Sequence, residues 1–287
     1  MKNDDFRFLA LLVKQRTGMV LPVGKGYLIE TRLMLIARKR SLDGPGVLID
    51  ALRAGHDREL MREVIEAMST GESFFFRDWT LFDLLRTDVL PRLRNERAQA
   101  QHLRIWSAAC SSGQEAYSVG MLVSELAPEF AGWRIDILAT DVSRDALKRA
   151  REGRYSQFDV QRGLPIRFLI KYFEPAGDTH WRIEEAIRQR ITFREANLLD
   201  GFENLGAFDL ILCRNVLAHF DAPTMRSTLD RIAVALRPEG FLFLGGAESV
   251  VGVSDRLEAI DGLGGFFRHA GAPGSAAPAQ VGRVSDG

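Results

Sequence analysis

The chain reads as an α/β protein: a mostly parallel sheet with crossover helices, preceded by a small all-helical domain. Three observations predict this. Residues 1–68 carry helical periodicity and no strand-like alternation. From Leu103 the pattern changes to strand, helix, strand, helix, which suits a parallel sheet covered by helices. The apolar strands then end in small or polar residues, at Ala108–Gly113, Asp141, Asn197 and Asn215.

In the first domain, residues 4–16 place Phe6, Leu9, Ala10 and Val13 at helical spacing, and Gly18 ends the helix. A second helix runs from about Lys25 to Arg40, with Leu28, Leu33, Leu35 and Ile36 as its apolar positions. Short helices follow near Val47–Arg53 and Asp57–Met68. Residues 69–100 form a linker and an entry helix, Trp79–Leu93, that pauses at Pro91.

The second domain spans 101–269. Its opening elements are a strand at Leu103–Ala108, a helix at Glu115–Leu126, a strand at Trp133–Ala139 and a helix at Ser143–Glu152. Residues 153–195 interrupt the alternation and are dense in aromatics. This stretch reads as an inserted antiparallel lobe with short strands at Trp181–Ile183 and Ile191–Arg194. Asn197-Leu198-Leu199 resumes the main sheet edge. A strand at Phe208–Leu212, a helix at Thr224–Leu236, a turn at Pro238–Gly240 and strands at Phe241–Leu244 and Gly265–Arg268 complete the domain. The Gly/Ala/Pro-rich residues 270–287 read as a disordered tail.

Composition narrows the function. The chain has 287 residues, 46% hydrophobic and 26% charged, enough for a sizeable core. Its formal net charge is zero, which gives no support to a nucleic-acid partner. Two cysteines, Cys110 and Cys213, do not make a secreted disulfide framework and read as reduced thiols. No Cys/His spacing suggests a metal site. No apolar run reaches membrane-spanning length, and no signal segment precedes the first helix. The expectation is a cytoplasmic protein without membrane insertion, and, with no clear sequence signal for dimerisation, a monomer.

The strand ends predict a nucleoside site. Ala108-Ala109-Cys110-Ser111-Ser112-Gly113 lets backbone pass close to a ligand, with Gly113 suited to positive φ. It is not Gly-x-Gly-x-x-Gly, so no pyrophosphate is demanded. Asp141 stands where a carboxylate accepts ribose hydroxyls, or alternatively where it caps a helix beside Ser143. Asn197 and Asn215 suit an adenine edge or an amino-acid moiety, or alternatively a turn.

Several motifs in order resemble one family. They are Ser73-Phe74-Phe75-Phe76-Arg77-Asp78, the stretch Arg104–Ser118, Phe208–Val216, and Leu236-Arg237-Pro238-Glu239-Gly240. Together they resemble the chemotaxis receptor methyltransferases, the CheR proteins. The resemblance implies a Rossmann-like methyltransferase domain with a β-subdomain. It also implies S-adenosylmethionine as cofactor, S-adenosylhomocysteine as product, and glutamates of chemoreceptor cytoplasmic helices as acceptors. Carried over by motif, cofactor contacts fall on Ser73, Arg77, Ala108, Glu115, Asp141, Asn197, Leu198 and Asn215. Arg77 matches an active-site arginine, and Tyr117 and Ser118 take structural roles.

The chain also departs from the family pattern. Gly71 and Ser73 replace an Asn-x-Thr pair, Asp78 replaces a glutamate, and His219 stands where a tyrosine is usual. A receptor carboxylate is already ionised near neutral pH, so transfer needs alignment more than a base. Arg77 can orient that carboxylate, and His219 can replace the tyrosine hydroxyl as a donor. At least two of Phe74, Phe75 and Phe76 are expected to pack in the core. An acidic receptor helix is expected to dock on Arg32, Arg38, Lys39 and Arg40. The compact Lys171–Trp181 segment resembles members independent of a tethering peptide. Two other functions are a cofactor-binding sensor with weak transfer and a methyltransferase acting on a non-receptor protein.

Overall fold

The computed structural model describes residues 2–22, 24, 26–69 and 72–272. Gly71 and the expected tail beyond residue 272 lie outside the described residues.

Four helices build the first unit: α1 (Asn3–Thr17), α2 (Gly26–Lys39), α3 (Pro45–Ala54) and α4 (Arg58–Met68). Local chemistry sets their ends. Gly18, at φ 80°, terminates α1 and donates its N–H to the Lys14 carbonyl. Asp57 caps α4 by accepting from the Leu60 N–H. Leu9, Val13, Leu33, Ile36, Leu48, Leu52, Leu60 and Val64 form a core of their own. On α2 the buried face is Ile29, Leu33, Ile36 and Ala37, whereas the expected apolar positions Leu28 and Leu35 are exposed.

The entry helix does not pause at Pro91. It runs as α5 (Trp79–Leu84), a π-helical turn at Leu85–Val89, and α6 (Leu90–Glu96). The Leu90 N–H reaches back to the Leu85 carbonyl, so the wider turn carries the helix to a proline that has no N–H to donate.

The main sheet holds β1 (His102–Ala108), β2 (Arg134–Asp141), β6 (Ile191–Glu195), β7 (Phe208–Cys213), β8 (Leu236–Leu244), β9 (Leu257–Ala259) and β10 (Phe266–His269). Their spatial order is β6-β2-β1-β7-β8-β10-β9. Strands β6 to β8 pair in parallel, and β10 is antiparallel to both β8 and β9. Alternation sorts the sheet's two faces. Ile105, Leu210 and Leu212 pack with α7 (Gln114–Glu125), while Trp106, Ile211 and Cys213 pack with α12 (Ala222–Ala235).

Helix α8 (Arg144–Glu152) leads from β2 into the inserted lobe. The lobe's sheet is β3 (Arg154–Ser156), β5 (His180–Ile183) and β4 (Phe173–Pro175), all antiparallel. Helices α9 (Gln157–Gln161) and α10 (Ile166–Tyr172) lie within it, and α11 (Glu185–Arg188) leads out. Three sequence expectations are corrected here. Ile191–Glu195 belongs to the main sheet, paired with β2, and not to the lobe. Asn197–Leu199 is a turn after that strand and not a strand itself. Pro238–Gly240 bulges inside β8 instead of preceding a strand, because pairing jumps from Phe208–Leu236 to Leu210–Phe241.

The connectivity positions the site. From β1 the chain moves one way to β2 and β6, then returns past β1 to β7. The crevice at the carboxyl ends of β1 and β7 is therefore the switch point of the sheet. Among the described residues, no helix is long and apolar enough to cross a membrane.

Candidate active site

One cleft opens at that switch point. Ser73, Arg77, Glu115, Asp141, Asn197, Leu198, Asn215 and His219 all line it. Thr17, Met19, Glu66 and Ser69, from the helical unit and the start of the linker, form part of its wall. Of the expected positions, Ala108 alone does not line it. It is buried in β1, and Ala109 takes its place.

The turn after β1 is held in an unusual backbone shape. Ala109 and Ser111 have φ of 55° and 51°, and Gly113 has φ 92°. A Cβ on Gly113 would stand 3.0 Å from Ala150 Cβ, so both conformation and space require glycine. Asp141 fastens this turn. Its Oδ2 accepts from Ser111 N at 2.8 Å and its Oδ1 from Ser143 N at 2.9 Å. Ser143, not Asp141, caps α8 by accepting from Ala146 N. The Asp141 carboxylate, which the Val142 amide also approaches, retains acceptor capacity for a ligand hydroxyl. Burial pushes its carboxyl upward, opposed by the Ser143 and Ser111 amides.

Glu115 lies in the first turn of α7 and is similarly pushed up by burial, opposed by Arg214 and Ser107. Its Oε1 accepts from Ser107 Oγ at 2.8 Å, and its Oε2 from Arg214 Nη1 at 3.2 Å. Two partly buried carboxylates line one cleft, Glu115 paired with Arg214, and suit a ligand that carries hydroxyls and a positive charge. S-adenosylmethionine fits that description. Cys110 also lines the cleft, but burial and the Asp141 and Glu115 carboxylates push its thiol well up, away from thiolate chemistry.

On the linker, Phe75 and Phe76 are buried as expected, Phe75 against Tyr155 and Phe173, Phe76 against Phe82 and Phe168. Phe74 instead lines the cleft, with the Arg77 and Arg162 guanidiniums over its ring at 5.1 and 3.7 Å. The Arg77 side chain does not pair with Asp78. Among the described residues its hydrogen bond is a long one, to the Glu72 carbonyl at 3.5 Å. Ser118 plays the expected structural part, its Oγ accepting from Phe76 N at 2.9 Å and donating to the Gln114 carbonyl. Tyr117 does likewise through Ala150 O at 2.6 Å.

After β7, Asn215 has φ 59°, a conformation asparagine tolerates well. Glu248 clamps this loop. Its Oε2 accepts from Asn215 N at 2.7 Å and Gly245 N at 2.9 Å, and its Oε1 from Ala218 N at 3.1 Å. His219 is exposed at the cleft wall in a short 3₁₀ turn, and its carbonyl accepts from Val20 N at 2.8 Å. Asn197 Nδ2 donates to the Arg16 carbonyl at 2.6 Å, and its Oδ1 accepts from Leu199 N at 3.0 Å. The turn role weighed for Asn197 is therefore present alongside its place on the cleft.

Sequence reasoning passed over Arg214, Glu248 and Glu66. Arg214 was quoted within a motif without a role, although a charge directly after a fully buried strand must find partners. Glu66 Oε1 accepts from Arg144 N at 2.9 Å, joining α4 to the start of α8. No local pattern marks Glu248 or Glu66, because each acts across the fold.

Comparison with known proteins agrees with this geometry. Residues 4–69 match the CheR methyltransferase all-alpha domain, and residues 71–264 match the CheR methyltransferase SAM-binding domain. The chain is 37% identical to chemotaxis protein methyltransferase Cher2 of Pseudomonas putida, over 90% of this chain and 94% of that protein. It is 38% identical to chemotaxis protein methyltransferase 1 of Pseudomonas aeruginosa, with the same coverage. It is 34% identical to the chemotaxis protein methyltransferase of Vibrio parahaemolyticus, over 90% and 94% of the two chains. The helical unit, the switch-point cleft lined by Asp141 and Glu115, and the matches across both domains lead to one conclusion: the chain belongs to the CheR family and is an S-adenosylmethionine-dependent methyltransferase of chemoreceptor glutamates.

Proposed function

We propose that this cleft carries out the transfer with Asp141, Glu115, Asn197, Leu198, Asn215 and Ser73 as cofactor contacts and with Arg77 and His219 on the acceptor side. The observation that carries the reading is the convergence of residues from five separate segments on one cleft. When bound, S-adenosylmethionine supplies a methyl already activated by a sulfonium. The chain's residues hold and align.

Asp141 offers its remaining acceptor capacity to the ribose hydroxyls. Glu115 offers a partly buried carboxylate to the cofactor's cationic part. Leu198 supplies an apolar wall, and Asn197 and Asn215 supply polar edges. Arg77, with its side chain lightly held, is available to steer an incoming glutamate carboxylate. A loose hold suits this step, since the carboxylate loses its charge as the ester forms. His219 donates from the cleft wall. Phe74 and the helical unit shield the cleft from competing water.

The receptor helix docks, in this reading, on the exposed face of α2. Leu28, Thr31, Leu35 and Arg38 follow one helical stripe, and all four are exposed. The four basic residues first assigned to docking divide into two sets. Lys39 and Arg40 pair with Glu63, and Arg40 also with Asp57, while Arg32 reaches the Met68 carbonyl. Arg38 is left as the basic contact of the stripe. The chain acts, in this reading, as a monomer. Its acceptors place it in the cytoplasm.

The test is transfer of labelled methyl to chemoreceptor cytoplasmic fragments, with a receptor whose acceptor glutamates are changed to glutamine. Base-labile label on the first and none on the second supports the reading. Equal label on both overturns it.

A further inference from the structure

Arg214 follows β7, a strand whose six residues are all buried, and its own side chain is 1% exposed. A guanidinium so placed needs partners, and its two terminal nitrogens find them, while its Nε has none among the described residues. Its partners come from two parts of the chain, α7 and the linker, which also meet where Phe76 N donates to Ser118 Oγ. Nη1 donates to Glu115 Oε2 on α7 at 3.2 Å. Nη2 donates to the Arg77 carbonyl at 2.8 Å and to Asp78 Oδ2 at 2.7 Å. The Phe243 and Phe82 rings lie 4.5 and 5.3 Å from its central carbon.

The linker needs such a hold. Phe76 and Asp78, on either side of Arg77, have φ of 48° and 62°. Non-glycine residues keep that conformation only where the surroundings enforce it. Ser118 fixes the first through the Phe76 N–H. Arg214 fixes the second, and it bonds the carbonyl of Arg77 itself. The origin of the Arg77 side chain is thereby set from the guanidinium that also holds Glu115.

We propose that Arg214 is a positioning residue that couples the cofactor side of the cleft, at Glu115, to the linker that presents Arg77 to the acceptor. This rests on the assignment of Glu115 and Arg77 made above. A planar fork reaches α7 and the linker from two separate nitrogens, whereas a lysine carries all its donors on one nitrogen and does not span both. Loss of the fork releases Arg77 while leaving Asp141 and the turn after β1 in place.

The experiment compares wild-type chain with Arg214→Lys, Asp78→Asn and Asp78→Glu. S-adenosylhomocysteine affinity is measured by calorimetry, kcat and KM with a receptor fragment, and amide exchange in the peptide covering 72–84. The wild-type titration reports on the cofactor assignment, so a change confined to the variants reports on the linkage. For Arg214→Lys the expected result is a Kd within about fivefold of wild type, a kcat about 30- to 100-fold lower, and faster linker exchange with the product bound. Asp78→Asn, changed at a partly exposed position, is expected to lower kcat about tenfold, and Asp78→Glu to stay within about threefold of wild type. If Arg214→Lys does not fold, the two Asp78 variants carry the test. An unchanged kcat in Asp78→Asn, or kcat and cofactor affinity falling together with linker exchange unaltered, overturns the proposal.

Discussion

The side-chain amide of Asn197 donates to the main-chain carbonyl of Arg16 at 2.6 Å, so a residue just beyond β6 holds the end of α1. Other contacts reinforce that seam. Val20 N donates to the His219 carbonyl, Met19 pairs with Phe220, and Lys14 meets Asp221 at 2.6 Å. Gly18 fits so closely that a Cβ there would stand 3.0 Å from Thr224 Cγ2. The helical unit is thus a fixed wall of the cleft, positioned by the same loops that carry Asn197 and His219.

Asn197→Ala tests that wall. It removes one hydrogen bond between the two units and a polar edge of the cleft. The expected loss of stability is about 0.5–1.5 kcal/mol, and S-adenosylhomocysteine affinity should fall about three- to tenfold. Thermal unfolding and calorimetry check the two separately. Stability lost with affinity intact would confine Asn197 to docking.

The pH dependence of cofactor binding follows from Asp141 and Glu115, both pushed upward by burial. A carboxyl with a higher pKa folded than unfolded keeps more protons in the folded state. Its contribution to stability is therefore largest at low pH and declines as pH rises through the window above about 4. Cofactor affinity runs the opposite way, because ribose hydroxyls donate to the ionised form of Asp141. Calorimetry from pH 5 to 8 should show tighter binding as pH rises, and Asp141→Asn should bind weakly with a flatter profile. The same slope in both proteins would place the titrating group elsewhere.

What was legible in the sequence was local. Period and caps marked α1 to α4, and the apolar runs marked β1, β2 and β7 with their ends. Seven of the eight positions expected to contact cofactor line the cleft, those at or just beyond the ends of β2, β6 and β7 because strand ends of one parallel sheet share an edge. What was not legible depended on partners far along the chain. Alternation at Ile191–Glu195 announces a strand but not which sheet receives it. Arg214 bonds Glu115 and Asp78, each about a hundred residues or more away, and nothing near it in sequence names them. Leu28 and Leu35 satisfy helical spacing, yet α2 buries the neighbouring stripe through Ile29 and Leu33.

His219→Phe separates positioning from chemistry on the acceptor side. The backbone there is held by Val216 and Val20, so the substitution changes the side chain and little else. The expected kcat is about tenfold lower, with cofactor affinity within about twofold of wild type. His219→Tyr, which restores a hydroxyl donor of the kind usual in the family, should recover most of the rate. A His219→Phe enzyme with unchanged transfer would remove His219 from the acceptor side.

Charge reversal on α2 should have two different outcomes on neighbouring residues. Arg40 bridges Glu63 and Asp57 inside the helical unit, and Glu63 raises its pKa further by pairing with it. Arg40→Glu would set a third acid against those two. Its expected effect is a melting temperature lower by about 3–6 °C, with receptor methylation falling only as folded protein is lost. Arg38 lies on the exposed stripe with Leu28 and Leu35. Arg38→Glu should leave the melting temperature and S-adenosylhomocysteine affinity unchanged and raise KM for the receptor fragment about five- to tenfold. That KM penalty should shrink as salt is raised from about 0.05 to 0.3 M, since screening weakens an exposed contact between unlike charges. An Arg38→Glu enzyme with wild-type KM at low salt would move the receptor off this face of α2.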